Sequence, residues 1–328
     1  MLLARRRCLL ALVVACASMG VRAQTASERP ARIAIIDVDD AAVRAVYWSV
    51  FRSRLAEQGF PEGSRLTMDA RFANGERAKL DAIAAEVAAR RPDVIVTVTT
   101  TVAVAAKKAT STIPIVALGP SDPVRLGLVA SLARPGGNVT GVSQNQAEIA
   151  GKWLDLVREI APHTTSIAYL TDRGNAGEML VFDEIAMRAR PLRIKVEAFD
   201  AVTQAGVDSA FETIAKKRFD ALIVATTTSV LPHRTRIVEA ATGARIPAVY
   251  ARSEYVDAGG LVSYGTDFGA VFARGADYVA RILRGAKPAD LPFEMASSFQ
   301  LVLNSGAAQR TGIAIPHAVR MRADTVVP

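Results

Sequence analysis

From residue 31 onward, short apolar runs alternate with stretches in which apolar residues recur every three or four positions. Period two or an unbroken apolar run predicts a strand, and period 3.6 a helix with one buried face. Arg32 to Asp37 is the first strand candidate, and Val43, Val46, Tyr47 and Val50 follow at helical spacing. The Gly59-Phe-Pro-Glu-Gly63 string breaks the chain before a second strand at Leu66 to Arg71. Leu80, Ile83, Ala84 and Val87 form the next helical stripe. Asp93 to Val98 and Ile113 to Leu118 are apolar nearly throughout. Strands with no polar face, separated by helices, predict a parallel sheet covered on both sides.

The same order then returns. Ser166 to Leu170 corresponds to Arg32 to Ile36, and Ile194 to Phe199 is again a second strand. Val207, Phe211 and Ile214 carry the helical stripe. Asp220 to Ala225 corresponds to Asp93 to Val98, and each is followed by three threonines, Thr99–Thr101 and Thr226–Thr228. Ile246-Pro-Ala-Val249 corresponds to Ile113-Pro-Ile-Val116. Matches that keep their order predict two copies of a βαβαβ lobe, an α/β protein with parallel sheets. Arg134 to Gly141 reads as turn chemistry suited to the crossing between lobes, and Gly141 and Gly259-Gly260 as hinge points. A long stripe from Phe268 to Ile282 stops at Gly285 with Pro288 beyond it. Phe299 to Leu303 is a last strand. Trp153 shares a stripe with Ile149, Leu156 and Ile160 and reads as core.

The N-terminus reads differently. Three arginines, Arg5 to Arg7, precede an uncharged stretch from Cys8 to Gly20 and the ending Val21-Arg22-Ala23. This is the pattern of a secretory signal peptide over 1–23, too short in its apolar part to span a bilayer. A second reading takes Val13-Val14-Ala15-Cys16 as a lipobox, with Cys16 lipidated and the chain held at a membrane face. The first reading predicts a free periplasmic protein. Both cysteines of the sequence, Cys8 and Cys16, fall in this segment, so cleavage after Ala23 leaves no disulfide possible. Four of the eight excess positive charges are Arg5, Arg6, Arg7 and Arg22. The other basic residues are scattered and aromatics make up only 6%, so no nucleic-acid partner is expected.

In an open parallel sheet, ligands lie beyond the carboxyl ends of the strands. The polar residues just past each strand are therefore the candidates: Asp37, Thr99, Thr100, Thr101, Ser121 and Asp122 in the first lobe, and Asp172, Thr226, Thr227, Thr228, Arg252 and Glu254 in the second. Each threonine triplet is placed where a strand hands over to a helix, whose free N–H groups suit a carboxylate or phosphate. Chemistry finds less support. His163, His233 and His317 are far apart, and no HExxH, GxSxG, GxGxxG or P-loop string occurs, so neither a catalytic group nor a cofactor or metal is expected.

Several strings resemble one family: Gly59-Phe-Pro-Glu-Gly63, Ile113-Pro-Ile-Val116, Ser121-Asp-Pro123 with Gly127-Leu-Val129, and Pro135-Gly-Gly-Asn-Val-Thr-Gly141. Ile282 to Pro292 and Asn304 with Gly312-Ile-Ala-Ile-Pro316 add to them. The chain is similar to substrate-binding proteins of ABC transporters of the tryptophan/tyrosine type. That resemblance implies the type I periplasmic binding protein fold, two Rossmann-like lobes with parallel sheets joined by a hinge, with lobe one at 31–140 plus about 266–293 and lobe two at 141–265 plus about 294–328. It implies a monomer that captures a small polar or anionic organic solute by lobe closure, without catalysis. An ABC permease and its ATPase would be the partners; an exported subunit presenting its ligand to a membrane receptor is the alternative. The resemblance puts Thr100 at the family's Gly-Thr site, where Thr99 replaces the usual glycine. Thr227 and Thr228 stand where amino-acid binders carry an Asp-Asn pair, so weak or absent binding of α-amino acids is expected, with Glu254 or Asp172 as replacement charges.

Overall fold

Strands β1 (Ala31–Asp37), β2 (Leu66–Phe72), β3 (Val94–Val98), β4 (Ile115–Leu118) and β5 (Val139–Ser143) form one sheet, and β6 (Ser166–Thr171), β7 (Lys195–Asp200), β8 (Ala221–Val224), β9 (Ala248–Tyr250) and β10 (Val262–Thr266) the greater part of another. The computed structural model describes residues 29–328. The leader expected at 1–23, with Cys16, lies outside them. Three late strands complete the sheets: β11 (Glu294–Met295) joins the first, and β12 (Phe299–Asn304) and β13 (Thr325–Val327) the second. The orders are β2-β1-β3-β4-β5-β11 and β7-β6-β8-β9-β10-β12-β13. All pairings are parallel except β10 with β12.

Side-chain alternation explains the layers. Ile33 and Ile35 of β1 point at α1 (Ala45–Glu57), and Ala34 and Ile36 point at α2 (Leu80–Ala89) and α3 (Thr100–Ala109). All five residues of β3 are buried, as a strand covered on both faces requires. Each fully buried valine or isoleucine contributes about 1.5–3 kcal/mol. The second sheet repeats the scheme. Tyr169 packs with α4 (Gln146–Ile160) and α5 (Ala176–Ala189), and Leu170 with α6 (Gln204–Lys217) and α7 (Arg234–Gly243). Trp153 is fully buried there, its indole N–H donating to the carbonyl of Tyr264 at 2.6 Å.

Past α7, a short α8 (Glu254–Asp257) leads into β10, and the chain then recrosses. The helix α9 (Phe268–Leu283) follows β10 but packs on α1 and β4 of the first sheet, while α10 (Ser305–Thr311) and α11 (His317–Met321) stay with the second. Three crossings result, at 144–145, at 267 and at 296–298.

Three sequence expectations are corrected here. The turn chemistry at 134–141 ends inside a strand: β5 pairs with β4 through Val142 and with β11 at Ser143, so the crossing comes later. Gly141 is required by that pairing, because a Cβ there would stand 2.0 Å from the carbonyl oxygen of Ala117. Gly259-Gly260 turns α8 into β10 within the second sheet and is no hinge. On α1, the stripe Val43, Val46, Tyr47 and Val50 is not the buried one. Trp48, Phe51 and Leu55 are buried, whereas Val46 is 65% exposed. Both sets have helical spacing, and the bulkier one buries more apolar area.

Candidate functional site

Strand order reverses between β1 and β3 in one sheet and between β6 and β8 in the other. Ligands of open α/β sheets bind at such switch points. The loops leaving these four strands meet across a cavity lined from both lobes. Its walls include Thr99, Thr100, Thr101 and Ser121 from the first lobe and Thr226, Thr227, Thr228 and Arg252 from the second. Eight of the twelve candidates are thus brought together.

Thr99 stands at the N-cap of α3, and Thr100 and Thr101 open the helix, at the strand-to-helix handover expected of them. None of their hydroxyls caps the helix. Thr100 Oγ1 accepts from the Ser121 N–H at 2.9 Å and lies 3.3 Å from Ser121 Oγ. The Thr99 and Thr101 hydroxyls are 3.4 Å apart. Thr99 has φ 74° and ψ 165°, a region that only glycine occupies without strain. A glycine here would be free of that strain, and the β-branched side chain at this position costs stability. Thr99→Gly is expected to stabilise the fold by about 1 kcal/mol, the strain relieved less the glycine entropy, read as a higher urea midpoint with unchanged slope.

The second triplet departs from expectation. A turn and a short 3₁₀ segment, Leu231–His233, separate it from α7, so no helix N-terminus sits at Thr226–Thr228. Its hydroxyls bond side chains instead: Thr226 Oγ1 donates to Glu178 Oε1 at 2.9 Å, and Thr227 Oγ1 meets Ser229 Oγ at 2.8 Å.

The remaining four candidates lie outside the cavity wall. Asp37 is fully buried and binds Arg44 at 3.0 Å. Its burial pushes the carboxyl up against the pull of that guanidinium. Asp122 accepts from the Arg125 N–H at 3.0 Å, a turn contact. Asp172 is held by Arg77 of the opposite lobe and by Ser229 Oγ at 2.6 Å. Burial alone would raise Asp172, but these hydrogen bonds hold it below the usual carboxylate range. Glu254 pairs with Arg252 and faces a second cavity behind Arg252 and Phe268; burial is again outweighed, here by Arg252, so its carboxyl titrates low.

Wall residues that carried no sequence signal for this role include Arg44, Arg77, Gln144, Glu178 and Phe268. Arg44 links Asp37 to Asp39, and Gln144 Nε2 donates to the carbonyl of Gly119 at 2.7 Å. Phe268 lies under Arg252, the guanidinium 5.5 Å from the ring centre. The lobes are closed on each other. Gly177, in the first turn of α5, sits so near the first lobe that a Cβ would come within 2.8 Å of Ser121 Oγ and 2.9 Å of Thr100 Oγ1. Arg77 fastens the same edge through Asp172.

Known proteins share this plan. A curated tyrosine-binding protein of Clostridioides difficile (strain R20291) is 25% identical over 254 residues, 77% of this chain and 73% of the relative. The crystal structure of a conserved domain protein from Vibrio cholerae O1 biovar El Tor superposes with a TM-score of 0.84 at 32% identity, covering 91% of this chain and 100% of that one. An ABC domain in complex with L-Trp from Streptococcus pneumoniae gives a TM-score of 0.82 at 24% identity, with the same coverage. The profile described as ABC transporter substrate binding protein matches residues 33–327, and the chain belongs to that family.

Proposed function

We propose that this substrate-binding protein works outside the cytoplasm, closing on a small polar organic solute and handing it to an ABC permease and its ATPase. The observation that carries the reading is the cavity between two switch points. It is lined by hydroxyls and paired charges and shut by contacts from both lobes. A solute that touches both walls favours the closed state by its differential affinity, which is what capture requires. The N-terminus of α3 suits an anionic group of that solute, with backbone N–H groups and the Thr99 and Thr101 hydroxyls as donors. Capture and release need no bond to be made or broken, and one copy of the chain supplies the whole cleft. Export by the leader at 1–23 would place the cleft where solute arrives.

The test is a thermal-shift screen over amino acids, carboxylates, nucleosides and sugars, followed by small-angle scattering with the best binder. A binder is expected to raise the melting point and shrink the radius of gyration. Binding with an unchanged radius would sink the clamp. Thr101→Val removes a hydroxyl donor from the α3 end and is expected to weaken an anionic binder by about 1–2 kcal/mol by calorimetry. Thr100→Val is a poorer probe, since it also strips the buried Ser121 N–H of its acceptor.

A further inference from the structure

The charges around the cavity do not balance. Arg44 faces two carboxylates, Asp37 and Asp39. Arg77 is paired with Asp172, and Arg252 with Glu254. No arginine of the wall is left to neutralise a purely anionic solute. One carboxylate of the wall, Glu178, has no cationic partner among the described residues. It is 5% exposed; Oε1 accepts from Thr226, while Oε2 makes no hydrogen bond and has the equally unpartnered Tyr169 hydroxyl near it.

Helix capping does not account for it. Asn175 and Glu178 have capping-box spacing, and Asn175 does accept from the Gly177 N–H at 3.0 Å. The second half of such a box, Glu178 reaching back to the Asn175 N–H, is missing. The carboxylate turns instead toward Thr226 and the cavity. A buried carboxylate without a counter-charge destabilises a protein and persists where a ligand completes it.

Building on the capture reading, we infer that Glu178 is the seat for a protonated nitrogen of the solute, opposite the anion-binding end of α3. The second-lobe carboxylate absent at Thr227 and Thr228 is then supplied from α5. Asp172 and Glu254 are already engaged with arginines. The solute class follows: an organic molecule bearing an ammonium or similar cationic group, with an anionic group spanning to α3. The weak binding of α-amino acids expected from the strand-end threonines is thereby reversed.

Matched probes test this: L-tryptophan against indole-3-propionate, L-tyrosine against 3-(4-hydroxyphenyl)propionate, L-leucine against 4-methylpentanoate, and putrescine against 1,4-butanediol, with galactose as a nitrogen-free control. The expected result is that the nitrogen-bearing member alone raises the melting point. Calorimetry with the best pair should then show Glu178→Gln weakening the nitrogen-bearing probe at least tenfold, so that its advantage over the nitrogen-free partner is lost. Glu178→Asp, which keeps the charge, should retain part of the preference, and guards against a folding defect in the first variant. Equal binding by the nitrogen-free member, or a full preference surviving in Glu178→Gln, overturns the assignment while capture stands. A panel in which nothing binds overturns the capture reading, and the Glu178 seat with it.

Discussion

Arg44→Met is expected to destabilise the protein by about 3–5 kcal/mol at neutral pH, a large fraction of a domain's stability. Arg44 is 1% exposed, and its guanidinium joins Asp37 at the end of β1 to Asp39 two residues on. Removing it leaves two buried carboxylates side by side with no counter-charge. Replacing a whole buried ion group by apolar residues is often harmless, whereas removing one partner is not. The double variant Arg44→Met with Asp37→Leu should therefore recover part of the loss. Acid should help the single variant too, because protonating Asp37 removes the unpaired charge that burial already disfavours. Urea unfolding at neutral pH and at about pH 4.5 checks both points. A loss below about 1 kcal/mol would show that water reaches the triad. The cleft would feel the change as well, since Arg44 and Asp39 both line it.

How much of this was legible in the sequence follows from what kind of signal each feature leaves. Strands buried on both faces leave unbroken apolar runs, so β1, β3, β4, β6 and β8 were visible, as was the repetition that pairs them. β5 was hidden because a strand needing Gly141 against the Ala117 carbonyl looks like a turn. Periodicity alone could not choose between the two stripes of α1. The threonine triplets were found because they sit at strand ends. Their different roles were not, because a helix begins at once after one and only after a turn in the other. Arg77 and Glu178 were missed for a physical reason. Each acts across a distance in the chain, Arg77 on a carboxylate 95 residues away and Glu178 on a hydroxyl 48 residues away.

The ligand-free protein should lose stability as pH rises from about 4.5 through 7, and Glu178 should be the main cause. Burial pushes this carboxyl from 4.5 up to about 7, beyond what the Thr226 hydrogen bond recovers. The groups around it pull both ways. Asp172 raises it further, while Arg77 and the Tyr169 hydroxyl lower it. The native state therefore holds a proton over a pH range in which the unfolded chain has released it. Stability from this group is full below the unfolded value and lost as pH climbs through the native one. A shift of this size corresponds to roughly 3 kcal/mol between about pH 4 and pH 8. Asp37, also raised by burial, adds in the same direction. Asp172 and Glu254 act oppositely, but only in acid, where their lowered values place them. Glu178→Gln keeps the shape and cannot ionise. Its melting curve should match the wild type near about pH 5 and lie above it near about pH 8.5, the gap opening through neutrality. Saturation with a nitrogen-bearing binder should close that gap from the wild-type side, because the ligand's charge then stabilises the ionised carboxylate. Parallel melting curves for the two proteins across this range would mean that Glu178 stays hydrated in solution. The cleft would then be open when empty, with this carboxylate desolvated only on closure.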